Sequence, residues 1–251
     1  MVAFFDKLFN HSLRKFLTSE IEAGCYLAFG QRGSGKSTLF AMVADVLHSY
    51  CDCYSNYPYD NTFVLPYVKV PVCDKKGRVL YMDLKFDKET LYNYKFHDCV
   101  IMLDEGKTIW PNRDYKYWTA RDDNFINYLR KNNVILLVAT QDYEGIDLNI
   151  RKACNNFFYM RKNDYFKNIS NIEFYASEVL PVVDKELEVR SSLFRKPFNL
   201  LSFQIGYVLQ RKYRFYRKPF YGKFDTDAII ELPKSEPPKL RHEGVKYDSV
   251  S

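Results

Sequence analysis

The segment Gly30-Gln31-Arg32-Gly33-Ser34-Gly35-Lys36-Ser37 limits what this chain can fold into more than any other. A G-x-x-x-x-G-K-S loop works where a buried strand hands over to a helix, and both flanks read that way. Cys25 to Phe29 is a short apolar run that predicts the strand, and Thr38 to Leu47 carries apolar residues at helical spacing. Glycines at 30, 33 and 35 let the backbone curl so that successive N–H groups point inward at phosphate oxygens. The helix N-terminus adds its partial positive charge to the same place. Lys36 is expected to reach the β- and γ-phosphates, and the Ser37 hydroxyl to coordinate Mg²⁺. With Gly30, Gln31, Arg32, Gly33, Ser34, Gly35 and Thr38 completing the cradle, the segment predicts a site for ATP and Mg²⁺.

Two further pieces turn a phosphate cradle into a hydrolytic site. Val100 to Leu103 is an apolar run that delivers Asp104 and Glu105 at its C-terminal end, the edge of an open α/β sheet where ligands sit. Asp104 fits the role of Mg²⁺ partner, and Glu105 that of the base polarising the attacking water. Val134 to Thr140 is the next buried strand, and Gln141 follows it. A neutral amide there can donate to the γ-phosphate or orient the water. These features predict an α/β P-loop NTPase with a mostly parallel central sheet, an additional strand between the two phosphate-binding strands, and a catalytic Glu.

The 251 residues suit one α/β domain with an appendage, and 47% hydrophobic residues, with 21 Tyr and 20 Phe, predict a ring-packed core. An N-terminal helix is expected within residues 1–23, where Phe5, Leu8, Phe9, Leu13, Phe16 and Leu17 recur at three and four. The ATPase core is read as 24–165, with a hairpin insertion at about 67–83 on the sheet edge, turning at Asp74-Lys75-Lys76-Gly77. A β-rich extension (166–232) and a flexible Pro- and charge-rich tail (233–251) complete the organisation. No apolar run approaches transmembrane length and the start lacks signal-peptide character, so a cytoplasmic protein is expected. The six cysteines read as reduced, buried hydrophobes, and His11, His48, His97 and His242 form no constellation.

The net charge of +6 is uneven: 19 Lys/Arg face 12 Asp/Glu from Arg151 onward, against 18 and 19 in residues 1–150. A basic C-terminal part is compatible with a polyanionic partner. Within it, Arg211, Lys212, Arg214, Arg217 and Lys218, interleaved with Tyr213, Phe215 and Tyr216, are the nucleic-acid candidates. The same pattern also reads as an edge strand with rings inward and cations in solvent.

Several ordered segments resemble the zonular occludens toxin-like ATPase domain of filamentous phage assembly proteins, a branch of the FtsK–HerA type of DNA motor. They are Gly30 to Ser37, Tyr54-Ser55-Asn56-Tyr57-Pro58, Leu103-Asp104-Glu105-Gly106-Lys107, Tyr128 to Asn133, Ala139-Thr140-Gln141, Ile146 to Arg151 and Tyr221 to Thr226. The resemblance covers roughly residues 22–230. It implies a homo-oligomeric ring in which a neighbouring subunit inserts an arginine toward the γ-phosphate. Arg113, Arg121, Arg130 and Arg151 are candidates; Arg130 and Arg151 match family positions, and Arg151 is preferred. Members that extrude phage usually carry a membrane-spanning helix after this domain. No such helix is read here, which shifts the expectation to DNA packaging or transfer with phage or mobile-element assembly proteins, recruited to a membrane or capsid partner if at all. The alternative is a nucleotide-gated adaptor with slow, uncoupled hydrolysis.

Overall fold

The structure is a computed structural model that describes residues 2–112, 118–178 and 206–224. In chain order its elements are α1 (Val2–Ser19), β1 (Gly24–Phe29), α2 (Lys36–Leu47), β2 (Asp52–Ser55), β3 (Phe63–Val64), β4 (Tyr67–Cys73) and β5 (Val79–Phe86). Next come α3 (Thr90–Asn93), β6 (Cys99–Leu103), α4 (Gly106–Ile109), α5 (Ala120–Tyr128), β7 (Val134–Thr140) and α6 (Leu148–Ala153). The described chain closes with β8 (Asn156–Lys162), β9 (Ile169–Glu178), β10 (Gly206–Tyr216) and a 3₁₀ turn over Lys218–Phe220. Arg113, Asp225-Thr226 and the 233–251 tail lie outside the described residues.

Eight strands form one sheet in the order β10-β9-β8-β1-β7-β6-β2-β3. Neighbours from β3 across to β8 run parallel, and β9 and β10 add on antiparallel. The additional strand expected from the sequence is β7, seated between β1 and β6 with Ala28 opposite Ala139 and Leu103 opposite Val138. Continuous apolar runs suit this position because both sheet faces are covered. One face carries α1 and α2 over Tyr26, Ala28, Val100, Met102, Phe158 and Phe174. The other carries α4, α5 and α6 over Leu27, Ile101, Leu103, Leu136 and Val138. β1, β6 and β7 therefore end together, on the edge where a ligand meets the turns that follow them.

The apolar stripe of α1 is used unevenly: Leu13, Phe16 and Leu17 are buried, whereas Phe4 and Leu8 are exposed. Between them, buried Asn10 accepts from Tyr216 N and donates to Tyr216 O, both at 2.8 Å, which fastens α1 to the end of β10. The β4–β5 hairpin corrects one expectation. It is a separate two-stranded sheet rather than an addition to the main edge, which β3 already occupies. Asp74 caps its turn by accepting from Lys76 N at 2.7 Å and Arg78 N at 2.9 Å, and Gly77 supplies the positive φ of 78°. β3, α3 and α4 are too short to leave a periodic signal and escape sequence reading.

Candidate active site

The phosphate loop leaves β1 at Gly30 and enters α2 at Lys36. A Cβ on Gly30 would overlap the Met160 carbonyl of β8, so the loop starts where only glycine fits. Gly33 (φ 76°) and Gly35 (φ 97°) take left-handed backbone, which turns the chain into the helix. Inside the loop, Ser34 N donates to Gln31 O at 3.1 Å and Leu39 N to Gly35 O at 2.8 Å. The Gln31, Arg32 and Gly33 crest is exposed, while Ser34, Gly35, Lys36 and Thr38 are buried.

Lys36 is 7% exposed, and its ammonium donates to Gly30 O at 2.7 Å and Gln31 O at 3.2 Å. Burial lowers its pKa below the usual lysine range, against the opposing pull of Asp104 and Glu105. The Ser34 hydroxyl is buried without a hydrogen-bond partner. An ammonium resting on carbonyls and an orphaned hydroxyl in one curl are groups that phosphate oxygens would satisfy.

β6 brings its two carboxylates to the same edge. Ser37 Oγ donates to Asp104 Oδ2 at 2.8 Å, joining the start of α2 to the end of β6. The sequence assigns those two residues to one metal and gives no role to what surrounds them. Tyr59 OH donates to the same Oδ2 at 2.8 Å, and burial together with the Asp104 charge holds its phenol well above the usual tyrosine range. Asn56, at the end of β2, brackets the Asp104 backbone: Asp104 N donates to its Oδ1 at 2.7 Å, and its Nδ2 donates to Asp104 O at 2.9 Å. The Tyr54-to-Pro58 string was the available signal for Asn56, since a polar residue ending a buried strand next to β6 needs a partner there.

Glu105 sits in left-handed backbone, φ 53° and ψ 48°, an uncommon conformation for a side-chain-bearing residue. Gly106 follows beneath it, where a Cβ would overlap Val138 Cγ1 of β7. That close packing sets the exposed Glu105 carboxylate beside Gln141, whose Nε2 donates to Glu105 Oε1 at 2.6 Å. Lys36, Ser37, Asp104, Glu105 and Gln141 thus converge from three strand ends.

The arginines do not join them. Arg151 is on α6 with its guanidinium 5.2 Å from the Tyr143 ring, and its Nε is buried without a hydrogen-bond partner. Arg130 follows α5, its Nε 3.8 Å from where a Gly24 Cβ would stand, at the end of β1 away from the phosphate loop. Arg121 pairs with Glu89 on the surface.

The basic C-terminal stretch is divided by strand alternation. Tyr213 and Phe215 turn into the core under α1, and Lys212 and Arg214 are exposed. Arg211 is paired with Glu20 and lies over the Phe16 ring, and Lys212 stands 3.9 Å from Glu173. Arg217 is engaged within the chain: its guanidinium donates to Gly33 O of the phosphate loop at 3.0 Å and to Lys167 O. Lys218 is exposed. Among the described residues no cluster of His, Cys, Asp and Glu forms a metal centre, the cysteines are free, and no helix is long and apolar enough to cross a membrane.

No protein-family model and no curated protein matches the chain. Among solved structures it is similar to the N-terminal domain of zonular occludens toxin from Neisseria meningitidis, at 18% identity over 61% of this chain and 84% of that one, with a TM-score of 0.41. It is also similar to the genome packaging NTPase B204 from Sulfolobus turreted icosahedral virus 2 in complex with ATPγS, at 14% identity over 61% and 92%, TM-score 0.42. A third is the flagellar accessory protein FlaH from Methanocaldococcus jannaschii, at 11% identity over 65% and 82%, TM-score 0.39. The zonular occludens toxin domain is of the family that the sequence string resembles.

Proposed function

We propose that this chain is a Mg²⁺-dependent ATPase that works as an oligomeric DNA motor in phage or mobile-element packaging, transfer or export. The observation that carries the catalytic part is a pair of contacts at the end of β6: Ser37 after the loop with Asp104 at 2.8 Å, and Gln141 after β7 with Glu105 at 2.6 Å. The Ser37 hydroxyl and Asp104 carboxylate fit a hydrated Mg²⁺, which when bound neutralises charge on the β- and γ-phosphate oxygens. Lys36, moving off the loop carbonyls, grips the phosphates. Gln141 holds Oε1 of Glu105, leaving Oε2 to accept the proton of the attacking water as its oxygen bonds to the γ-phosphorus and ADP departs.

The motor part is supported by the zonular occludens toxin-like string and the basic C-terminal balance, with Lys212, Arg214 and Lys218 exposed. Arg151 is the preferred arginine offered in trans, and the proposed site of action is the cytoplasm. Turnover measured with and without single- and double-stranded DNA, beside a mass measurement in ATP, is the test. Glu105→Gln should keep ATP binding and lower turnover by roughly 10²–10⁴-fold. Unchanged turnover removes Glu105 as the base, and indifference to DNA removes the motor.

One contact favours a second reading, a nucleotide-gated adaptor. On this reading the Gln141–Glu105 bond restrains the base instead of orienting it, so a partner that frees Glu105 would control hydrolysis. ATP-dependent capture of an assembly protein, with no DNA effect, would select this reading.

A further inference from the structure

The phosphate loop is held from outside by residues far away in the chain. Gly33 O accepts from Arg217 Nη1 at 3.0 Å across 184 positions, and Ser34 O accepts from the buried Ser170 hydroxyl at 2.5 Å. Arg217 is itself fixed: its backbone N donates to Asn168 O at 2.9 Å, its second guanidinium nitrogen donates to Lys167 O, and Tyr216 before it is clamped by Asn10. Its stem lies against Gly35, where a Cβ would come within 2.6 Å of Arg217 Cδ and 3.1 Å of Ser170 Oγ. The glycine before Lys36 is therefore needed for this approach as well as for its positive φ.

A loop with glycines at 30, 33 and 35 has little intrinsic preference for one curl. In a trans peptide the N–H points opposite its carbonyl. Fixing Gly33 O and Ser34 O outward consequently aims Ser34 N–H onto Gln31 O and turns Gly35 N–H to the inner side, where an anion binds. We propose that Arg217, seconded by Ser170, is a positioning residue for nucleotide: it presets the anion-binding curl from strands appended beyond β8. This rests on the reading that the loop takes a triphosphate.

The test uses the full chain and a fluorescent ATP analogue, with turnover measured beside it. Arg217→Ala should raise the analogue Kd and the KM for ATP roughly tenfold, because a charge-assisted bond to the loop is lost. The value of kcat should stay within about threefold, the mark of binding lost equally from ground and transition states. Arg217→Lys should not rescue affinity, since one ammonium cannot span Gly33 O and Lys167 O as the planar fork does. Ser170→Ala should weaken binding in the same direction. Lys162→Ala, which removes an exposed cation near Gly33, should change Kd less than about twofold.

Without nucleotide, Arg217→Ala should speed amide exchange at Gly33–Lys36 while the melting temperature stays within about 2 °C. Full rescue by lysine, an equal loss in Lys162→Ala, or unchanged exchange would each overturn the brace. A wild type that binds without turning over defeats the hydrolytic reading and leaves the binding comparison decisive. A wild type that binds nothing defeats the triphosphate reading, and amide exchange then decides the brace alone.

Discussion

Asn56→Ala isolates the clamp that holds the Asp104 backbone. Asn56 is 5% exposed, and its amide satisfies both Asp104 N and Asp104 O, at 2.7 and 2.9 Å. Truncation strands a donor and an acceptor, each costing about 1–3 kcal/mol when buried. Asp104 is only half-buried, so water recovers part of this, and the expected loss is about 2–3 kcal/mol. For a chain of this size that lowers Tm by roughly 4–12 °C. Urea unfolding read by aromatic fluorescence gives the free energy, provided the slope with denaturant is unchanged. Because the Asn56 side chain bonds to Asp104, binding of an ATP analogue should fall less than turnover, which on the proposed mechanism needs Asp104 and Glu105 in register. Tyr59→Phe, which removes one donor from Asp104 Oδ2 and leaves the backbone clamp, should cost about 1 kcal/mol or less. If Asn56→Ala unfolds within about 0.5 kcal/mol of wild type and turns over normally, the clamp does not hold Asp104 and the reasoning fails.

A second expectation concerns Asp122, fully buried at the start of α5. Burial pushes its carboxyl up, but donors from Lys88, Tyr92, Trp110 and Thr119 outweigh this and bring it below the usual range. Its stabilisation is therefore present above the unfolded pKa of about 3.9 and lost as pH falls through the lower folded value. Asp122→Asn should flatten that acid limb and cost about 3–5 kcal/mol at neutral pH, measured by urea unfolding across pH. Gly106→Ala should cost about 1–3 kcal/mol and lower turnover together, since its methyl overlaps Val138 beneath Glu105; full activity would show that β7 yields there.

The loop, the β6 carboxylates and Gln141 were legible because each is a local pattern: a run of buried apolar residues followed by a polar group. The position of β7 between β1 and β6 was legible only through the kind of NTPase those pieces describe together, since strand order is not a local pattern. What surrounds them was not. Nothing near Gly33 announces Arg217, and nothing near Tyr216 announces Asn10, because these contacts join residues 184 and 206 positions apart. The left-handed backbone of Glu105 is equally silent, since nothing in the identity of a glutamate favours it and the Gly106–Val138 approach beside it joins residues distant in the chain. The run from Arg211 to Lys218 was legible as charge but not as placement. Its charge is visible in one dimension, but alternation and strand ending distribute it among Glu20, Glu173, solvent and the phosphate loop.

The reach of Arg217 back to Gly33 also has a meaning in time. At a synthesis rate of about 5–20 residues per second, the 184 positions between them take roughly 9–37 s to make. For nearly all of that interval a nascent chain carries the whole phosphate-loop motif, and for the later part the β6 carboxylates as well, without the residue proposed to set the loop. The motif is made early and its support late, so under the proposed brace the full nucleotide affinity comes only after the chain extends past Arg217.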